Sequence, residues 1–189
     1  MIIEHTLVLL KPDTIQRSII GKIVTKFEDA GLKIVAMKML WASEDQVERH
    51  YPFDELWAKQ VYEKTKKVYE ESGKKFEYKD HVEHGQTIRK WLMDFLREGP
   101  ILAIVLEGPH SVEIVRKMVG STEPRQAAPG TLRGDFAVVE SYALADAKKR
   151  PLRNLIHASD TVENAKREIA VWFDNKEIQK YTKELDTHF

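Results

Sequence analysis

Six consecutive apolar residues, Ile101-Leu102-Ala103-Ile104-Val105-Leu106, lie between a Gly99-Pro100 break and the polar pair Glu107-Gly108. No other feature constrains the fold as much. The run is far shorter than the ~20 residues of a membrane-spanning helix. As a strand it turns apolar side chains to both sides, so it reads as the central strand of a covered sheet. The chain must supply its neighbours. Residues 5–10 read as a second short strand, stopped by Lys11-Pro12-Asp13 because proline cannot continue a ladder. Residues 33–40 read as a third, and 136–139 as a fourth.

Helices fall between these strands. Ile19, Ile20, Ile23, Val24 and Phe27 keep helical spacing, and Gly31 is a natural stop. Ser43 with Gln46 makes a capping-box start for a short helix. Helical spacing resumes from Ile88 to Phe95, and Val112 to Val119 form a helix closed by Gly120. Asp160 with Glu163 is expected to cap a last helix that carries Val162, Ala165, Ile169 and Trp172 on one face. The core order is strand, helix, strand, strand, helix, strand. That is the split β-α-β arrangement of ferredoxin-like folds, an α/β (α+β) architecture. It predicts a four-stranded antiparallel sheet with additional helices, the helices on one face.

Residues 1–189 read as a single domain interrupted by charged additions. The stretch 54–84 is about half charged, both signs mixed, and lacks proline; it reads as a helical insertion with a solvated face. Trp57, Tyr62 and Tyr69 suggest that one side of it still packs. A second polar insertion covers about 141–150, and the tail from Asp174 to Phe189 is polar and weakly helical. Lysine plus arginine number 30, as do aspartate plus glutamate. This balance removes the electrostatic argument for nucleic acid or an anionic membrane, so any anion site must be a local cluster of cations. Without cysteine the chain has no disulfide, thiolate metal site or cysteine nucleophile. The short apolar run near residue 6 has neither a basic start nor a small-residue cleavage site, so no signal peptide is expected. These features predict a cytoplasmic protein.

The common phosphate-loop, dinucleotide, zinc-protease and calcium-loop motifs are absent. His81 and His84 have a spacing that permits a metal pair, but no third ligand is evident, and no protein metal site is predicted. What remains is a set of polar residues at element ends. Lys11 ends the first strand, Arg116 lies on a helix, Thr122 and Arg133 lie in a glycine- and proline-rich loop, and Asn154 and His157 precede the last helix. Each alone reads as an ordinary surface residue. His157 is the most suggestive, because the positive end of a following helix favours neutral imidazole and a nearby phosphate. Glu168 stands eleven residues on, about three helical turns, and could orient the ring.

Read together, Lys11-Pro12-Asp13, the run Pro129-Gly130-Thr131-Leu132-Arg133-Gly134-Asp135-Phe136 and the run Asn154-Leu155-Ile156-His157-Ala158-Ser159-Asp160-Thr161-Val162-Glu163 closely resemble the nucleoside diphosphate kinases. Val105 to Gly108 and Glu168 to Phe173 fit as well, in order over most of the chain. The insertions and extended tail resemble those of archaeal-type members. The resemblance implies transfer of the terminal phosphoryl group from a nucleoside triphosphate to a nucleoside diphosphate. It implies a ping-pong route through a phosphohistidine at His157, with Ser159 and Glu168 supporting the ring. Lys11, Tyr51, Arg116, Thr122, Arg133 and Asn154 fall on nucleotide-contacting positions. Ile88 and Leu92 fall where the base is clamped, with the opposite apolar contact near Pro151. Mg²⁺ is expected to ride on the substrate phosphates, and the family implies a homo-oligomer, tetramer or hexamer. Ala158 and Thr161 replace residues that are often glycine and serine in the motif, both small changes.

The chemistry asks for these residue types. Phosphoryl transfer spreads negative charge over three equatorial oxygens, which Lys11, Arg116 and Arg133 would neutralise. Two other readings compete. The same topology builds RNA-recognition domains, but the central strand has no aromatic residue on which to stack a base. A scaffold protein that had lost activity would be expected to lack the histidine or the cations, and all are present.

Overall fold

The computed structural model describes residues 3–71, 73, 75–137 and 139–184. In chain order the elements are β1 (Ile3–Leu10), α1 (Pro12–Gln16), α2 (Ile20–Asp29), β2 (Lys33–Leu40), α3 (Glu44–His50), α4 (Glu55–Glu71) and α5 (His81–Arg97). They continue with β3 (Ile101–Pro109), α6 (Ser111–Val119), α7 (Leu132–Phe136), α8 (Tyr142–Ala147), β4 (Ile156–Ala158) and α9 (Val162–Trp172). The four strands make one antiparallel sheet in the order β2-β3-β1-β4, the α+β ferredoxin-like topology expected.

The doubly apolar β3 lies between β1 and β2, and its two faces meet different layers. Leu102, Ile104 and Leu106, with Val8 and Leu10 of β1, pack against Ile23 and Phe27 of α2 and Val115 and Val119 of α6. Ile101, Ala103 and Val105, with Leu7 and Leu9, pack against Val47 of α3, Leu96 of α5 and Trp172 of α9. Helices therefore cover both faces, not one. The alternation of side chains along a strand requires this, since exposing either apolar set forfeits about 1.5–3 kcal/mol per large residue.

Two local expectations change. The fourth strand is Ile156–Ala158 and not 136–139. Leu132–Phe136 is a helical turn, because the Thr131 hydroxyl accepts the Gly134 N–H at 3.1 Å and starts a helix there. Val139 is 90% exposed, and Val138 lies outside the described residues. The last helix is capped by Thr131's counterpart in role, Thr161, whose hydroxyl accepts from Asn164 N at 3.0 Å; Asp160 instead binds the Asn164 side chain. Its buried face is Ala165, Glu168, Val171 and Trp172, with Val162 exposed. The Ser43–Gln46 capping box and the Gly31 stop form as expected.

The charged insertion is a helical pair, α4 on α5. A Cβ on Gly85 would fall 2.5 Å from the Cβ of Ala58, so the two helices touch through a glycine. Tyr62 and Tyr69 pack on Phe76, and His84 is buried among Tyr62, Phe76 and Tyr78. His81 leans on Glu55, so the two histidines do different work. Positions 72 and 74 of this insertion lie outside the described residues. Lys64 lies over the ring of Tyr142 at 4.8 Å, tying α4 to α8 of the second insertion. The tail forms a 3-10 turn at Asn175–Glu177 and then runs along β2, where Gln179 N donates to Val35 O at 2.8 Å. Positions 185–189 lie outside the described residues. Among the described residues no helix is long and apolar enough to cross a membrane.

Candidate active site

β4 pairs with β1, with His157 opposite Leu9, and this register turns His157 toward α3 and α9. One helix face away, Glu168 of α9 reaches back. Its Oε2 accepts from His157 Nε2 at 2.9 Å and from the Ser159 hydroxyl at 2.6 Å. Arg167 approaches its other oxygen at 3.4 Å. Burial alone would push the Glu168 carboxyl up, but the hydrogen bonds from His157 and Ser159 and the Arg167 charge hold it below the usual carboxylate range. An ionised carboxylate only accepts, so His157 Nε2 is the donor, and the neutral form of the ring has its lone pair on Nδ1.

The segment before His157 is held under strain. Leu155 is fully buried with φ of 67°, a left-handed conformation uncommon for leucine. Asp13 Oδ2 accepts the Leu155 N–H at 3.0 Å, while Leu155 O accepts from Lys11 N at 2.8 Å and from the Thr14 hydroxyl at 2.6 Å. The turn after β1 therefore clamps the approach to β4. Such strain costs on the order of 1–3 kcal/mol and persists only where surrounding bonds over-determine it.

Asn154 is the hub of this clamp. Its Oδ1 accepts from Lys11 Nζ at 2.7 Å, its Nδ2 donates to Thr122 O at 2.9 Å, and its main-chain oxygen accepts from Arg133 Nε at 3.2 Å. Arg133 also donates to Gly120 O at 2.9 Å and Ile156 O at 2.7 Å. Three of its five N–H groups thus hold backbone, which leaves two for a ligand. The sequence reading gave Arg133 a purely phosphate-binding part; the structure adds a scaffold part. Burial, and then the Arg116 charge, bring Arg133 down to about 10. Burial, and then Arg133, bring Lys11 down to about 8. Among the described residues no carboxylate is bonded directly to either buried cation, and such a pair favours an anion.

Arg116 is exposed in the last turn of α6, and Thr122 lies in the loop that follows. Tyr51 is half-buried beside this group, and burial, aided by Glu168, pushes its hydroxyl well up, so it stays protonated. Arg89 of α5 donates to the Tyr51 carbonyl. Ile88 and Leu92 lie one turn apart on α5, half-buried, and Pro151 lies at the foot of the second insertion. None of these three takes part in the hydrogen-bonded group around His157. The sequence reading missed His50, whose ring centroid is 4.5 Å from that of His157, and the clamp residues Asp13 and Thr14. Only the resemblance in the Lys-Pro-Asp run touched on the latter.

His50, His157 and Glu168 are the group among the described residues whose donor atoms, within 4.8 Å of one another, could hold a metal. Two imidazoles and a carboxylate suit a zinc-like ion, whereas Mg²⁺ takes oxygen ligands. Around Lys11 and Arg133 the carboxylates are already engaged, Asp13 by Leu155 N and Glu168 by His157. The groups left around Lys11 and Arg133 are therefore hydrogen-bond donors, which suits an anion such as phosphate.

A carboxylate-held histidine on a ferredoxin-like sheet, three residues after an asparagine that binds two buried cations, suits a phosphotransferase. A sequence profile of the family "Nucleoside diphosphate kinase" matches residues 4–74 and 61–178. The nucleoside diphosphate kinase of Pyrobaculum aerophilum is 45% identical over 182 residues, 94% of this chain and 99% of that one. The Pyrococcus horikoshii protein of the same name is 39% identical over 183 residues, 97% of this chain and 93% of that one. The crystal structure of an NDP kinase from Pyrobaculum aerophilum superposes with a TM-score of 0.90 at 42% identity, covering 95% of this chain and all (100%) of that one. A nucleoside diphosphate kinase of Borrelia burgdorferi, solved as a transition-state mimic with vanadate and ADP, gives 0.80 at 33% identity, covering 98% and 96%. The chain belongs to the nucleoside diphosphate kinase family, whose members are phosphotransferase enzymes.

Proposed function

We propose that this enzyme moves the terminal phosphoryl group from a nucleoside triphosphate to a nucleoside diphosphate in two half-reactions through His157. The observation that carries this reading is the contact of His157 Nε2 with Glu168, which assigns the proton of a neutral ring to Nε2 and its lone pair to Nδ1. In the first half-reaction Nδ1 attacks the γ-phosphorus, the bond from that phosphorus to the bridging oxygen breaks, and the nucleoside diphosphate leaves with the electron pair. The ring gains positive character, and Glu168, steadied by Ser159, stabilises it. A second diphosphate then attacks the phosphohistidine by the reverse path.

Lys11, Arg116 and the two remaining N–H groups of Arg133 would neutralise the charge spread over the equatorial oxygens. Thr122, Asn154 and Tyr51 would supply neutral hydrogen bonds to phosphate or ribose. Mg²⁺ on the substrate phosphates would screen the leaving diphosphate. Ile88 and Leu92 would meet the base, with Pro151 opposite. Residues 1–189 would act as one domain carrying the insertions 54–84 and 141–150, in the cytoplasm where nucleotides are exchanged. Met37, Met39 and Trp41 stand exposed on and beside the edge strand β2, which supports a homo-oligomer.

The test is labelling with γ-³²P-ATP and Mg²⁺ without acceptor, followed by peptide mapping. Acid-labile, base-stable label on His157, discharged by GDP, is expected, and His157→Ala should abolish both. Full turnover by that variant would remove the phosphohistidine route.

A further inference from the structure

Glu123 and Glu140 are buried, and nothing in the half-reactions above uses either carboxyl. A carboxyl so placed is costly unless it is hydrogen-bonded. The bonds of both lead to the second insertion. Glu123 Oε1 accepts the Tyr142 N–H at 3.1 Å, and Arg125 Nε stands 3.5 Å from the same oxygen. Tyr142 is the first residue of α8, behind the Ser141 cap, so its N–H has no partner within the helix. Glu140 accepts the Ser141 N–H at 3.0 Å on one oxygen and pairs with Arg150 at 2.9 Å through the other, which closes the insertion at its base. The Glu140 main-chain oxygen accepts from Arg125 N at 3.1 Å.

These bonds converge on the loop between α6 and α7. Thr122 is exposed there, its carbonyl accepts from Asn154 Nδ2 at 2.9 Å, and Glu123 follows it directly. A single peptide unit thus separates the residue read as a nucleotide contact from a buried carboxyl fixed on α8. The start of the loop is held separately: a Cβ on Gly120 would fall 2.5 Å from Thr131 Oγ1, and Arg133 donates to the Gly120 carbonyl. α8 is in turn held from outside, with the Lys64 ammonium of α4 lying 4.8 Å from the centre of the Tyr142 ring. Placement governs what a threonine hydroxyl contributes, because a hydrogen bond weakens steeply as its distance and angle depart from ideal.

We propose that Glu123 is a positioning residue: its bond to the Tyr142 N–H fixes the loop so that Thr122 meets the nucleotide, and the two insertions serve as the brace behind that loop. The inference rests on the part given to Thr122 under Proposed function.

The experiment removes that one N–H. Proline is tolerated at the first position of a helix, and Ser141 already has the extended backbone, φ −148° and ψ 160°, that a following proline requires. Tyr142→Pro therefore deletes the donor to Glu123. Tyr142→Ala loses the same ring but keeps the N–H, and is its control. For both, kcat/KM for transfer from ATP to a nucleoside diphosphate is measured with Thr122 intact and with Thr122→Ala. With Thr122 intact, Tyr142→Pro should fall about 3- to 10-fold below Tyr142→Ala, the scale of one neutral hydrogen bond weakened at the substrate. In the Thr122→Ala background the two should agree within about twofold, since the positioned group is gone. A merely structural loss would appear equally in both backgrounds, so a gap that persists without Thr122 would overturn the proposal. Where Thr122→Ala is itself impaired, equal values for the Tyr142 pair with Thr122 intact would overturn the brace alone. Should Tyr142→Pro fail to fold, Glu123→Ala against Glu123→Gln reads the same bond in both backgrounds, because glutamine keeps an acceptor for Tyr142 and should restore activity. Thr122→Ala at the wild-type value would overturn the Thr122 reading and the proposal with it, and absence of transfer by the wild type would overturn the proposed function itself.

Discussion

Replacing Glu168 by glutamine isolates the electrostatic part of this site, because the amide has the carboxylate's shape without its charge. In the wild type, Oε2 accepts from His157 at 2.9 Å and from Ser159 at 2.6 Å. Hydrogen bonds to an ionised group contribute about 1.5–3 kcal/mol and neutral ones about 0.5–1.5. The difference, about 1–2 kcal/mol, is expressed as the His157 ring gains positive character. It corresponds to roughly a 5- to 30-fold slower phosphorylation. Since Glu168 is bonded to His157 and Ser159 and is not itself among the groups proposed to hold the substrate, substrate affinity should hold. Rapid-quench single turnovers with labelled triphosphate measure both quantities. A phosphorylation rate within twofold of wild type, or a loss that falls wholly in KM, would refute the assignment of Glu168 as the group that stabilises the charged ring. The acid limb offers a second check. The native carboxylate is held below its usual range, so its support lasts to lower pH and is lost as pH falls through that lowered value; Glu168→Gln should lose this limb.

Three further outcomes are expected. Lys11, held at about 8, should give kcat/KM an alkaline limb near that pH, and Lys11→Arg should remove the limb because arginine stays charged. A Cβ on Gly134 would lie 2.0 Å from Ala128 O, so Gly134→Ala should destabilise by about 2 kcal/mol or more in denaturant titration, while a loss below about 0.5 would contradict the close contact. His84 is held at about 4 by burial, below the ordinary 6.5, so the unfolded chain binds more protons between those values. Stability should fall by at most about 3 kcal/mol as pH drops from 6.5 to 4, and His84→Phe should flatten that slope in urea titrations.

The sequence by itself determined the elements whose signal is local. β3 could only be an inner strand, because six apolar residues in a row suit two covered faces. The Ser43 cap and the Gly31 stop depend on bonds within a few residues, and both were legible. His157, Glu168, Lys11, Asn154 and Arg133 were legible in the sequence, and the fold bonds His157 to Glu168 and both Lys11 and Arg133 to Asn154. Tertiary structure decided what local signals do not encode. β4 is three residues long, too short for periodicity, and exists because β1 pairs with it. Thr131 chose a helical turn over a strand for the residues that follow it. Leu155 takes a positive φ only because Asp13, Thr14 and Lys11, more than 140 positions away, bond to its peptide groups. His50 stands against His157 across 107 positions of chain, and nothing in the residues around either one gives their contact. Motifs preserve residue identities, whereas the sheet register and the helix packing set the distances between them, and it is those distances that decide which nitrogen is free to react.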